Sequence, residues 1–171
     1  MEKDAIIDAV RDFLDADDWH YEYDAEHAFI RAGVTLKCKL KSARMFIRFR
    51  NTDYNVYMVA PISADPANLG EVLRFTAQAN YGLASGNFEV DVEDGEIRYK
   101  SYVDCDGLET LPEELFDDGI NACWCTWRTC RAPRTGRRSS GPPPRCAQST
   151  RARNRRGPRW APPGRYASKV N

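Results

Sequence analysis

Nowhere in these 171 residues is there a run near the roughly 20 consecutive apolar residues that a membrane-spanning helix needs. A helical membrane protein is therefore not expected. The start, Met1-Glu2-Lys3-Asp4, lacks the basic opening of a signal peptide, so the expected location is cytoplasmic. Histidine is almost missing: His20 and His27 are the only two, and no partner at zinc-type spacing accompanies them. They read as surface or turn residues. Up to residue 122 the only cysteines are Cys38 and Cys105, too few for a disulfide framework. The chain has no Gly-x-Ser-x-Gly, no phosphate loop and no dinucleotide fingerprint. Asp104-Cys105-Asp106-Gly107 opens like a calcium loop, but the later ligands and the closing Glu are out of register, so it reads as a turn. No catalytic residue, cofactor or metal is expected, and the chain is not expected to be an enzyme.

Two further absences divide the sequence. No acidic residue follows Asp118, and no Leu, Ile, Phe or Met follows Ile120. Residues 1–122 hold 12 Lys and Arg against all 25 acids, a balance of −13. Residues 123–171 hold 12 Arg and Lys169, a balance of +13. The formal net charge of zero is thus a cancellation between two unlike segments. A chain of this length accommodates one domain plus a tail. The expected division is 1–122 as the domain and 123–171 as a disordered Arg/Pro-rich tail.

The first segment carries clear periodicity. Ile6, Ile7, Val10, Phe13 and Leu14 fall on one face of a helix, away from Asp8, Arg11, Asp12 and Asp15. A short strand is expected at about His20–Tyr23, then a turn near Asp24-Ala25-Glu26. Ile30, Ala32, Val34, Leu36, Cys38 and Leu40 alternate with Arg31, Thr35, Lys37, Lys39 and Lys41. That is the period of one half-buried antiparallel strand. Met45, Ile47 and Phe49 resume the pattern after a turn near Ser42, with Arg48 and Arg50 outward, and a strand follows from about Tyr54 to Ala60.

A second helix is expected with Asp65 as N-cap and Pro66 at its first position. Leu69, Val72, Leu73 and Thr76 form its stripe, and Gly82 its stop. Asp94-Gly95 is a two-residue hairpin signal. That turn sets Val92 against Ile97 and Val90 against Tyr99 on the buried side. On the other side it sets Asp91 against Arg98 and Glu89 against Lys100, with Glu93 unfavourably against Glu96. A last helix is expected after Pro112, with Phe116, Ile120, Cys123, Trp124 and Trp127 at helical spacing. Strands grouped between helices imply an α+β fold, an antiparallel sheet with helices packed on one face.

Four strings in order, Phe46-Ile47-Arg48-Phe49-Arg50, Ala79-Asn80-Tyr81-Gly82-Leu83, Gly86-Asn87-Phe88-Glu89 and Asp94-Gly95-Glu96-Ile97-Arg98-Tyr99-Lys100, resemble the YbjN-domain family of bacteria. The resemblance covers about residues 3–121. It implies a fold similar to type III secretion chaperones, of order α-β-β-β-(β)-α-β-β-α. It also implies a non-enzymatic, chaperone-like or regulatory module that binds a protein partner and forms a homodimer. It supplies no catalytic residue. The departure comes from about Asn121 onward, where the family continues its last helix with apolar and acidic residues and this chain turns to Cys-Trp-Cys-Thr-Trp-Arg-Thr-Cys.

One surface stands out in the domain. Lys37, Lys39, Lys41, Arg44, Arg48 and Arg50 are six of its 12 basic residues, with Phe46 among them. Charged strand faces are usually only solvated. The sharper reading is a patch for an acidic or extended segment of a partner protein.

Residues 123–171 hold 7 of the 10 prolines and admit three readings. An Arg-rich arm would bind nucleic acid through phosphates, with Trp160 and Tyr166 stacking on bases; this is the alternative function. A metal site at Cys123, Cys125, Cys130 and Cys146 matches zinc spacing poorly. The third reading is GC-rich DNA translated out of frame, which yields Arg, Pro, Ala and Gly while excluding Ile and Phe. An abrupt switch inside a helix, with no linker before it, favours a frame change between about Gly119 and Thr126.

Overall fold

The computed structural model describes residues 1–36, 39–116 and 119–120. Helix α1 (Lys3–Ala16) buries Ile6, Ile7, Val10 and Leu14, the stripe that its period foretells. Burying each such side chain is worth roughly 1.5–3 kcal/mol. After α1 the Trp19 N–H donates to the Leu14 carbonyl at 2.9 Å and reverses the chain into the sheet. Strands β1 (Tyr21–Asp24), β2 (Phe29–Thr35), β3 (Ser42–Phe49) and β4 (Asp53–Ser63) follow, then helix α2 (Leu69–Tyr81). Strands β5 (Asn87–Val90) and β6 (Glu96–Asp104) form a hairpin, and α3 (Glu113–Phe116) comes last.

The six strands make one antiparallel sheet in the order β1-β2-β3-β4-β6-β5. This is the expected α+β architecture. Strand alternation divides its two faces. Ala43, Met45, Ile47 and Phe49 of β3 point into a single core with Ile30 and Val34, Val56 and Met58, and Tyr99 and Val103. Helix α1 supplies Ile6, Ile7, Val10 and Leu14 to that same core, and α3 supplies Phe116. Phe13 of α1 stacks on Phe116 of α3 with centroids 4.5 Å apart.

Three local expectations are corrected. The alternating run read as one strand to Lys41 ends at Thr35, and β3 pairs straight back onto it from Thr35↔Ser42 to Phe29↔Arg48. Between them Lys39 and Leu40 lie in a turn, and Lys41 has a left-handed φ of 62°. Alternation alone does not reveal where a strand doubles back, because both arms of a hairpin keep the same period.

Asp65 and Pro66 open a turn rather than the helix. Asp65 Oδ1 accepts from the Ala67 N–H at 3.2 Å, its carbonyl accepts from the Asn68 N–H, and α2 begins three residues later than expected, at Leu69. Only Thr76 of the expected stripe is buried, and Leu73 is 38% exposed. The reason is placement: α2 packs against the edge strand β5 rather than over the sheet centre. Gly82 does stop the helix, although its φ is −103° and not left-handed.

The β5–β6 hairpin has a four-residue loop, so its register is displaced by two. Val90 faces Ile97, Phe88 faces Tyr99, Glu89 faces Arg98 and Asn87 faces Lys100. A tight Asp-Gly turn needs positive φ at both loop residues. Only Gly95 has one, at 73°. The longer loop is held by Asp91 Oδ1 accepting from Glu93 N–H and Asp94 Oδ1 accepting from Glu96 N–H. The Gly95 carbonyl also accepts from Ala64 N–H at 2.7 Å, tying the loop to the end of β4. An even displacement preserves strand parity, so Val90, Ile97 and Tyr99 stay inward and Glu89, Arg98 and Lys100 outward, but Val92, expected inward, falls in the loop and is 61% exposed.

The family strings acquire structural reasons. Asn80 donates to the Phe88 carbonyl at 3.0 Å and accepts from the Phe88 N–H at 2.7 Å, satisfying the outer edge of β5. The Tyr99 hydroxyl donates to the Ser85 carbonyl at 2.6 Å. Gly86, with φ 67°, lies beneath the Tyr99 ring where a Cβ would collide with the hydroxyl. Asp104 to Gly107 is a turn, with Asp104 Oδ1 accepting from Asp106 N–H. Lys37, Cys38, Cys123, Trp124, Trp127 and the whole segment 123–171 lie outside the described residues.

Candidate partner-binding face

The even-numbered residues of β3 point away from the core, so Arg44, Phe46 and Arg48 stand on the opposite face of the sheet, all half-buried. The register extends this face across its neighbours. Arg31 of β2 and Tyr57 of β4 flank Phe46, Gly33 and Val59 flank Arg44, and Phe29 and Asn55 flank Arg48. Beyond β4, Lys100 lies opposite Tyr57 and Arg98 opposite Val59. Lys39 and Lys41 are exposed on the β2–β3 turn at one end, and Arg50 is exposed just past β3 at the other. Of the seven expected residues, three lie on the face itself, three border it, and Lys37 is outside the described residues.

Sequence reasoning missed the half of this face beyond β3. Arg98 stacks over the Tyr57 ring at 4.9 Å, with Lys100 at 6.0 Å from the same ring. Glu89 clasps both cations, at 2.7 Å from Arg98 Nε and 3.6 Å from Lys100 Nζ. Burial pushes the Glu89 carboxyl up, but Arg98's hydrogen bond and charge, with Lys100 and Asn87, outweigh it and hold it below the usual carboxylate value. On the other flank Arg31 reaches Glu22 at 3.1 Å and lies over the Phe29 ring at 5.3 Å. Parity on β4 and β6 was the available signal: Tyr57 shares the period of Asn55 and Val59, and Arg98 that of Lys100.

The acids of this face lie around its margin: Glu22 and Asp24 on β1, Glu89 on β5, Glu96 at the start of β6 beside Arg98, and Asp53 and Asp104 at the paired ends of β4 and β6. Its centre is basic and aromatic. Across Lys37–Thr52 there is no acidic residue, within a segment whose balance is −13. Such an arrangement suits recognition of negative charge with an aromatic or apolar contact between the charges.

The remaining candidates are elsewhere. His20 and His27 sit at opposite ends of β1. His27 Nδ1 lies 3.2 Å from Asp24 Oδ2, and the Asp24 carboxyl is held below its usual value first by the His27 backbone N–H. Among the described residues no group of three or more His, Cys, Asp or Glu side chains is placed to hold a metal ion. Cys105 is fully buried, and burial together with Asp104 pushes its thiol up to about 11, away from reactivity. Arg11 stacks over Tyr23 at 5.2 Å beside an open cleft at the end of α1. Among the described residues no helix is long and apolar enough to cross a membrane.

No curated protein matches the chain. The profile of the YbjN family, described as "Putative bacterial sensory transduction regulator", matches residues 7–120, ending where the acids and large aliphatic side chains also end. That span runs from the first buried turn of α1 to Ile120, through all six strands and the Asn80–Phe88 and Gly86–Tyr99 contacts, and on it this chain belongs to the YbjN family.

Proposed function

We propose that the chain is a non-enzymatic regulatory module that binds an acidic, extended segment of a partner protein along the outward face of β3. The observation that carries this reading is the unbroken basic run from Lys37 to Thr52 in an acidic domain, with Arg44, Phe46 and Arg48 displayed by strand parity on the face turned away from the core. An extended segment alternating acid and apolar residues has the same two-residue period as β3. Its carboxylates would meet Arg44 and Arg48 while an apolar side chain covers Phe46.

The test uses a defined peptide alternating Glu and Leu, its Lys-for-Glu counterpart, and the full chain. The acidic peptide is expected to bind with a steep salt dependence and the basic one not at all. Charge reversal at Lys39, Arg48 and Arg50 together is expected to abolish binding. Equal binding of both peptides, or binding unchanged by the reversal, refutes the reading. A second reading, nucleic-acid association through residues 123–171, rests on twelve arginines without a single acid. Salt-sensitive nucleic-acid binding lost on removing that segment is its signature.

A further inference from the structure

The outward face has a gap at Gly33 of β2. The residue is exposed, and a Cβ there would meet nothing within 4 Å. Its backbone does not call for glycine, since the positive-φ glycines of the described residues are Gly86, Gly95 and Gly107. A glycine inside a strand costs stability, and it often marks a place where a ligand approaches closely. Strand β1 pairs no farther along β2 than Tyr21↔Ala32, so from Gly33 onward β2 has a paired neighbour on the β3 side alone. The gap is thus a notch that opens to the corner of the sheet. Its borders carry positive charge and hydroxyls. Arg44 stands directly across on β3, and Arg31 stands two residues along β2 on the same face. Thr35 and Ser42 form the next pair on that face, and both are exposed.

We infer that this notch is a carboxylate subsite, and that with Phe46 and Arg48 it makes the order acid-x-apolar-x-acid the one the face reads in a partner's segment. The inference rests on the reading of this face as a site for an acidic, extended segment. Arg44, Phe46 and Arg48 follow one another at two-residue intervals on one strand. Alternate residues of an extended segment lying along β3 meet them in turn, because both have the same period. The first acid enters the notch, where the fork of the Arg44 guanidinium matches a carboxylate with two hydrogen bonds. Two residues on, the apolar side chain covers Phe46, which Tyr57 flanks on β4. Two further on, the second acid meets Arg48. The two intervening residues point to solvent and carry no requirement. The cations to either side are already engaged, Arg31 by Glu22 at 3.1 Å and Arg98 and Lys100 by Glu89 at 2.7 and 3.6 Å. These pairs confine the track to β3 and make the notch its one recess among the described residues that no side chain fills.

Fluorescence anisotropy with two labelled peptides and the full chain tests this directly. One peptide has the core Glu-Ser-Leu-Ser-Glu and the other Ser-Glu-Leu-Glu-Ser. They share composition and charge, but the second sets its leucine and its acids on opposite sides of an extended chain. The first is expected to bind about tenfold or more tighter. Gly33→Ile fills the notch without changing charge, in a residue suited to strands, and is expected to weaken the first peptide about tenfold. Gly33→Ala fills little of it and is expected to weaken binding less. Because the position is open, circular dichroism melts of both variants should stay close to the parent. Phe46→Ala is expected to erase the difference between the peptides while leaving the salt dependence of both. Equal binding of the two peptides to the parent would overturn the order while leaving the acidic reading of the face intact. Parental affinity in Gly33→Ile, with an unchanged melt, would show the notch to be empty space and overturn the subsite. Binding of neither peptide would sink the reading of the face and this inference with it.

Discussion

The side chain of Asn80 occupies the place that a seventh strand would take, and its removal has a calculable consequence. Strand β5 is an edge of the sheet, and its Phe88 N–H and C=O point outward to the Asn80 amide at 2.7 and 3.0 Å. A hydrogen bond nets about 0.5–1.5 kcal/mol, so two of them, half-buried, set the cost of Asn80→Ala at about 1–3 kcal/mol. Urea unfolding measures that loss, and hydrogen exchange at the Phe88 amide locates it. The freed edge is also expected to promote association through β5. Asn80→Asp separates the two bonds. Its carboxylate still accepts from the Phe88 N–H, but it turns an oxygen toward the Phe88 carbonyl where the amide had donated. Facing that oxygen raises the carboxyl's folded-state pKa above the unfolded value of about 3.9. A raised acid pKa means the deficit is small below the unfolded value and grows as pH rises through the folded one. The reasoning fails if Asn80→Ala costs under about 0.5 kcal/mol with Phe88 protection unchanged, given the penalty for unpaired polar groups.

Other consequences follow from the outward face and the tight turns. Glu89→Gln is expected to cost about 1 kcal/mol at neutral pH, the scale of a partly buried pair with charge-assisted hydrogen bonds. Because the Glu89 carboxyl is held low, that contribution stands above the unfolded value of about 4.3 and is lost as pH falls through the folded one, so parent and variant stabilities should converge in acid. Gly86→Ala is expected to destabilise by about 2 kcal/mol or more, since φ is 67° and the added Cβ meets Tyr99 and the Lys100 carbonyl. Gly33→Ala is the control: nothing lies within 4 Å of its Cβ position, so a change within about 1 kcal/mol of the parent, and toward stability, is expected. Reading the coding DNA across residues 119–126 in the neighbouring frame is expected to restore an apolar, acid-containing helix. A neighbouring frame broken by stop codons would rule that out.

Much of the fold was readable because it depends on period. The stripe of α1 and the inward set Met45, Ile47 and Phe49 follow from spacing, and so do the faces of the β5–β6 hairpin. The resemblance carried by Ala79–Leu83, Gly86–Glu89 and Asp94–Lys100 agrees with the family match over residues 7–120. The basic run was legible as charge. What charge alone did not reveal was which neighbours share its face. Tyr57, Arg98 and Glu89 join Phe46 only through pairing across β3, β4 and β6, and that pairing is set by contacts far apart in sequence.

By itself the amino-acid order determined the α+β class, the inward and outward faces, and the break in composition after residue 120, because each rests on local spacing or on content. The tertiary structure alone decided the turns and what they align. The loop of the β5–β6 hairpin lengthened because Gly95 must back onto Ala64 and Phe88 must meet Tyr99, an aromatic pair with centroids 5.2 Å apart. Helix α2 kept a second apolar stripe in solvent because it packs on an edge strand, which covers one side of a helix and leaves the other free.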